Sequence, residues 1–176
     1  MFIDLINYVS YIRVQEQEFM KLKHLPSGKE LEAEISELSK KEYKSIKKDT
    51  GFSFDWQIEK ENEVYKIYLV SDKKGVLGLM SLVDRKDEYR IHLNLLEVKA
   101  RHQGKTKEID NIAGCLIAFA AEIAIKKGYY GFVSLTPKTR LIDHYQDKYG
   151  FRQYGRYLGI EGTASQILVE KYLKDE

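Results

Sequence analysis

A single cysteine, two prolines and almost no net charge set the first limits on this 176-residue chain. Cys115 alone cannot close an internal disulfide, so a cytosolic location is the expectation. With Pro26 and Pro137 as the only prolines, the backbone is interrupted at just two places. The balance of 29 Lys and Arg against 27 Asp and Glu gives +2. Such a sum supplies no electrostatic ground for a nucleic acid or a membrane surface as the main partner. No run approaches the about 20 apolar residues that cross a bilayer. The first seven residues carry Asp4 and no basic lead-in, so no secretory leader is expected. No His/Cys spacing suggests a metal site.

What is present suits a folded domain. Hydrophobic residues at 43% and charged residues at 32% argue against disorder along the whole chain. The length is enough for one domain, 1–176, with a sizeable core. Thirteen tyrosines fit half-buried sheet surface, and a tyrosine can also donate a proton at a reactive site.

Hydrophobic spacing divides the chain. Residues 1–25 are read as a helix, with a strand over 9–14 as the alternative. Pro26 marks a soft boundary. Ser27 stands three residues ahead of Glu30 as in a capping box, and Leu31, Ile35 and Leu38 recur at helical steps, so 28–47 is read as an amphipathic helix. A strand is expected from Phe52 to Trp56, where aromatic residues alternate with small or polar ones. Strands follow over 64–70, 76–83 and 89–98, with turns at 71–75 and 84–88. Ile109, Ile112, Ala113, Leu116, Ala120, Ile123 and Ala124 mark a long helix ended by Gly128. A strand at 129–135, a helix at 139–149 and a hairpin at 151–160 come next. A last helix, to about Leu173, is opened by the capping-box pattern Thr163-Ala-Ser-Gln166. This order predicts an α/β (α+β) fold with a mixed, mostly antiparallel sheet flanked by helices.

Two features carry candidate chemistry. In 89–98 the alternation of Tyr89, Ile91, Leu93 and Leu95 with polar residues breaks at Leu96 and Glu97. A bulge near Leu95–Leu96 accounts for this, and so does a strand end buried on both faces. Next, Lys99-Ala-Arg-His-Gln-Gly-Lys-Thr-Lys107 is a basic loop running into the long helix. The free amides of a first helical turn bind anions, with Arg101, Lys105 and Lys107 adding charge and Gly104 allowing close approach. A charged loop of this kind is most often solvated surface, which is the other reading of the same stretch. Cys115, among Ile112, Ala113 and Leu116, reads as a packed small residue rather than a nucleophile.

From about Phe52 to Leu173 the chain resembles the GCN5-related N-acetyltransferases (GNAT). VLGLMSL is similar to the family's third strand, and IHLNLLEVKA to its bulged fourth. Arg101-His-Gln-Gly104-Lys-Thr106 resembles the pyrophosphate loop, NIAGCLIAFAAEIAIKKG the helix after it, and the stretch from Tyr145 to Phe151 the tyrosine signature. The chain departs in four ways. Its loop is about five residues longer than usual, no second glycine stands between Thr106 and Asn111, Lys138 holds the place of a family Asn, and one extra residue separates Tyr145 from Gly150.

The resemblance implies an acyl-CoA-dependent N-acyltransferase, with acetyl-CoA as co-substrate and an amine of unspecified kind as acceptor. Leu96 and Val98 would bind pantetheine through their backbone. Arg101, Gly104, Lys105, Thr106, Asn111, Ile112, Ala113 and Gly114 would hold the pyrophosphate, and Lys138, in the place of the family Asn, would also contact the coenzyme. Glu97 would be the general base, or else a structural acid. Tyr145 would be the general acid, or else a core aromatic. His92 and His102 rank behind Glu97 as bases, since neither has an evident partner. His144 would point about 100° away from Tyr145 on a helix. A GNAT-fold binding module without catalysis is the alternative, and a sheet edge or the last helix leaves room for a homodimer.

Overall fold

The computed structural model describes residues 20–174. Most of the helix expected over 1–25 lies outside them, and the part inside is a strand, β1 (Met20–His24). The helix expected over 28–47 is also largely corrected. Glu30–Glu37 is β2, and only Tyr43–Lys48 is helical, α1. Leu31, Ala33 and Ile35 fit a two-residue period as well as a helical one. Pairing decides between them: Ala33 aligns with Leu69 and Ile35 with Ile67, and Ala33 is fully buried. Ser27 caps no helix. Its hydroxyl contacts His24 Nδ1 at 2.6 Å within the turn between β1 and β2.

The other strands are β3 (Glu63–Leu69), β4 (Asp72–Arg85), β5 (Arg90–Val98), β6 (Ile109–Asp110), β7 (Val133–Leu135), β8 (Arg152–Tyr154) and β9 (Tyr157–Ile160). The turn expected at 71–75 is tighter than that, because Leu69 already pairs with Asp72. The order is β6-β1-β2-β3-β4-β5-β7-β9-β8, antiparallel except for β5 with β7. The helices are α2 (Ile112–Lys126), α3 (Ile142–Tyr149) and α4 (Gly162–Leu173). None of the described helices is long and apolar enough to cross a membrane. Glu161, not Thr163, is the N-cap of α4, and no side chain caps it.

The two sheet faces bury different things. One packs on α2 and α4, through Met80, Ile91, Leu93, Leu116, Ile117 and Leu168. Small residues let α2 and α4 approach closely: a Cβ on Gly114 would lie 2.4 Å from the Tyr172 ring. The other face packs on α1 and the 3-10 turn Trp56–Glu59, through Tyr43, Ile46, Phe52, Trp56 and Leu79. The strand expected at 52–56 is therefore absent. That segment crosses the sheet face instead of joining an edge.

The extra residues of the basic loop also have a place. They form β6, which pairs with β1 at the far edge of the sheet, His24 against Ile109.

Candidate active site

β5 and β7 run parallel for three positions only, from Ile91–Val133 to Leu93–Leu135. They then part. Thr136-Pro137 follows β7, and Pro137 has no N–H with which to continue the ladder. On β5 the register with β4 slips: Leu82 pairs with Leu93 and Ser81 with Leu95, leaving Asn94 as the extra residue. The phase break in the sequence is thus a bulge, one position earlier than the expected Leu95–Leu96. After it, Leu95 and Glu97 face α1, while Leu96 and Val98 face α2.

The parting strands open a cleft of 520 Å³. Its floor is residues 94–98 of β5, a stretch with no strand partner on the β7 side among the described residues. Asn111, Ile112 and Ala113, at the start of α2, form one wall. Leu141, His144, Tyr145 and Lys148 line the opposite wall from α3 and the turn before it, with Lys138 nearby, and Ser53 and Phe54 line a further end.

The α2 wall is suited to an anion. Asn111 adopts a left-handed conformation (φ 73°), and no side chain caps the helix. The first helical bond runs from Cys115 N–H to Asn111 O, so the amides before it have no acceptor within the helix. Lys107 and Lys148 lie beside this end, 2.7 and 3.9 Å from Asp110 Oδ1. Burial favours a neutral Asp110. The hydrogen bonds from Lys107 and the Asn111 N–H, and the charges of Lys107 and Lys148, outweigh it and hold the carboxyl below its usual range.

The expected site residues divide. Leu96, Glu97, Val98, Gly104, Asn111, Ile112, Ala113, Lys138 and Tyr145 line the cleft. Arg101, Lys105, Thr106 and Gly114 do not. Arg101 is exposed and reaches Glu108 at 3.6 Å, Lys105 and Thr106 are exposed, and Gly114 is buried against Tyr172. The Val98 carbonyl already accepts the Gln103 side-chain amide. Three cations of the basic stretch have acidic neighbours: Lys99 pairs with Asp49 at 2.7 Å, Arg101 with Glu108 and Lys107 with Asp110.

Glu97 is not a free carboxylate. Oε1 accepts Ser53 N–H at 2.5 Å and Ser53 Oγ at 2.7 Å, and Oε2 accepts Trp56 Nε1 at 2.8 Å and Phe54 N–H at 3.4 Å. Tyr145 packs edge-on to Phe151 (5.6 Å between ring centres), and its hydroxyl has no protein hydrogen bond among the described residues. Burial raises its pKa, so it holds its proton at neutral pH.

His92 lies outside the cleft, in a buried group with Arg90 and Ser134, 2.9 Å from the Ser134 hydroxyl. His102 lines the cleft and is buried. Its Nε2 accepts from Arg101 Nε at 3.2 Å, so the proton of the neutral ring is on Nδ1, which has no partner among the described residues. Burial, then the Arg101 charge, lowers its pKa. Burial pushes the Cys115 thiol up to about 12, in keeping with a packing role.

The sequence did not single out Asn94, Gln103 or Lys148. For Asn94 a signal was present, as the last polar residue in phase before the alternation breaks at Leu96.

No family model matches the sequence, and no curated protein matches it. Solved structures do match the fold. A nourseothricin acetyltransferase aligns over 73% of this chain and 98% of its own, with a TM-score of 0.56 and 13% identity. A spermidine N-acetyltransferase chimera from Vibrio cholerae and hSSAT aligns over 78% and 98%, with a TM-score of 0.56 and 12% identity. The PaiA N-acetyltransferase from Thermoplasma acidophilum, in complex with coenzyme A, aligns over 74% and 98%, with a TM-score of 0.51 and 16% identity. The fold is that of the GNAT N-acetyltransferases.

Proposed function

We propose that this protein is an acyl-CoA-dependent N-acyltransferase that moves an acetyl group from acetyl-CoA to an amine. The observation that carries the proposal is the cleft where β5 and β7 part. It joins an unpaired strand edge, the free amides of α2 with two lysines beside them, and a protonated tyrosine. The strand edge offers hydrogen bonds to an extended amide chain such as pantetheine. The α2 end, with Gly104, Lys107 and Lys148, offers donors and charge to a diphosphate. Two neighbours of the same fold, a PaiA N-acetyltransferase and the YlbP N-acetyltransferase of Bacillus subtilis, were solved in complex with coenzyme A.

In this reading the amine nitrogen attacks the thioester carbonyl carbon, the new C–N bond forms and the C–S bond breaks. Tyr145 gives its proton to the departing sulfur and recovers one from solvent. The nitrogen loses its surplus proton to solvent. Glu97, filled by four donors, acts as the strut of the Ser53–Trp56 wall and not as the base.

That filled carboxylate, with the missing second glycine, also favours the second reading, a GNAT-fold module that binds without catalysing. Calorimetric titration with acetyl-CoA, free CoA and desulfo-CoA, followed by thiol release with an amine panel, separates the two. Micromolar binding weakened by Lys107→Glu, together with amine-dependent thiol release, supports the transferase. Binding with no release at any pH supports the module. No binding at millimolar ligand overturns both.

A further inference from the structure

We infer that Asp110 is a switch acid: it competes with the coenzyme diphosphate for Lys107 and Lys148, and passes to Lys23 of β1 when the diphosphate wins. This rests on the coenzyme binding proposed above.

Asp110 closes β6, lines the cleft, and stands one residue ahead of the N-cap of α2. Its Oδ1 accepts Lys107 Nζ at 2.7 Å and the Asn111 N–H at 2.8 Å, and lies 3.9 Å from Lys148 Nζ. One carboxylate oxygen thus draws together the two cations beside the α2 end. It does not use up the helix itself. The Asn111 N–H precedes the first turn, and no side chain caps the amides that follow. Those amides stay open to an anion, while the lysines next to them are already engaged.

A diphosphate drawn to the amides meets the Asp110 charge at close range and must take both lysines from it. Asp110 also holds those lysines in place, which favours binding. Repulsion outweighs this. Ordering two half-buried lysines gains little, whereas like charges in a half-buried cleft are poorly screened by salt.

The displaced carboxylate has an outlet. Lys23 is the cross-strand partner of Asp110 in the β1–β6 pair, so the two side chains leave the same face of the sheet. Lys23 is exposed and makes no ion pair among the described residues. Its other cross-strand neighbour, Glu30, is taken by Lys21 at 3.4 Å. The β1–β6 ladder is short, two residue pairs and the Leu25 N–H to the Glu108 carbonyl at 2.9 Å. A Lys23–Asp110 pair tightens it. An anion at α2 is thereby coupled to the N-terminal strand, and the strand, by linkage, to the anion.

Calorimetric titration with CoA and with inorganic diphosphate tests this on the wild type, Asp110→Asn, Lys23→Gln and the double variant. The new Asn keeps an acceptor for the Asn111 N–H. Asp110→Asn should lower both Kd values about tenfold, a gain that a folding defect cannot produce. Glu108→Gln removes the same charge outside the cleft and should change either Kd less than about twofold. Lys23→Gln should raise the CoA Kd about threefold alone and leave it unchanged beside Asp110→Asn. An Asp110→Asn Kd equal to or above that of the wild type, or an equal gain in Glu108→Gln, overturns the inference. A Lys23→Gln effect of the same size in both backgrounds also overturns it. Should the wild type bind no CoA at millimolar ligand, the transferase reading falls, and the diphosphate titration still judges Asp110.

Discussion

The Trp56 indole N–H donates to Glu97 Oε2 at 2.8 Å, joining positions 41 residues apart in sequence. This bond and three others to the same carboxylate fasten the Ser53–Trp56 segment to the floor of the cleft. The acid on the bulged strand thereby acquires a structural task.

Removing that carboxylate should be costly. In Glu97→Ala, the buried Trp56 indole N–H loses its acceptor, and Ser53, at the exposed end of the segment, loses the partner of its N–H and of its hydroxyl. A loss of about 2–4 kcal/mol in unfolding free energy is expected. Urea denaturation of the two proteins measures it. A loss below about 0.5 kcal/mol would contradict the strut role.

Tyr145→Phe should separate chemistry from binding. Its hydroxyl has no protein partner among the described residues, so Tm should hardly move. With the acid gone, kcat should fall by about 10²-fold or more while acetyl-CoA affinity stays the same. Burial raises the Tyr145 pKa, and an acid works while protonated, so the wild-type rate should persist past the ordinary tyrosine value of 10.0 before it declines. A kcat within about threefold of wild type would remove Tyr145 from the mechanism.

Acid should destabilise the fold in two stages. Burial, then the charges of Arg90 and Arg85, lowers the His92 pKa, and burial, then Arg101, lowers that of His102. A folded pKa below the unfolded value means that the stability is full above the unfolded value. It is lost as pH falls below about 6.5 and through the folded values. Glu59 and Asp110 are also held low, against the pull of burial, so a second loss begins below their ordinary values of 4.5 and 3.8. Tm followed from pH 8 to 3 shows both stages, and His102→Asn should shrink the upper one.

Gly114→Ala should reverse the usual helix effect. In a helix interior the change ordinarily gains about 0.8–1.0 kcal/mol. Here the new Cβ would stand 2.4 Å from the Tyr172 ring, where α2 and α4 touch. Overpacking of this kind costs about 1–3 kcal/mol, so a net loss in chemical denaturation is expected. A gain would mean that α4 yields.

Much of the molecule was legible in advance. VLGLMSLV is nearly all apolar because β4 is covered on both faces, and the sequence already signals this. The spacing of Ile112, Leu116, Ala120 and Ile123 places α2. The faltering phase of 89–98 located the bulge to within a residue, since one inserted residue inverts every side chain after it. The order of strands, basic loop and small-residue helix then pointed to the GNAT fold.

Other features became fixed only when distant segments met. Leu31 and Ile35 fit helix and strand alike, and β3 decided for strand by pairing with Ala33 and Ile35. Phe52, Phe54 and Trp56 alternate like a strand, but Glu97, far along the chain, draws their segment across the sheet instead. Gly104 to Thr106 resemble part of a coenzyme motif, yet β1 captures the added residues as β6 and leaves Lys105 and Thr106 outside the cleft. Hydrophobic period and turn chemistry are local, and the chain carries them in its own order. A hydrogen-bond acceptor filled from 41 residues away depends on contacts that exist only after the sheet has closed.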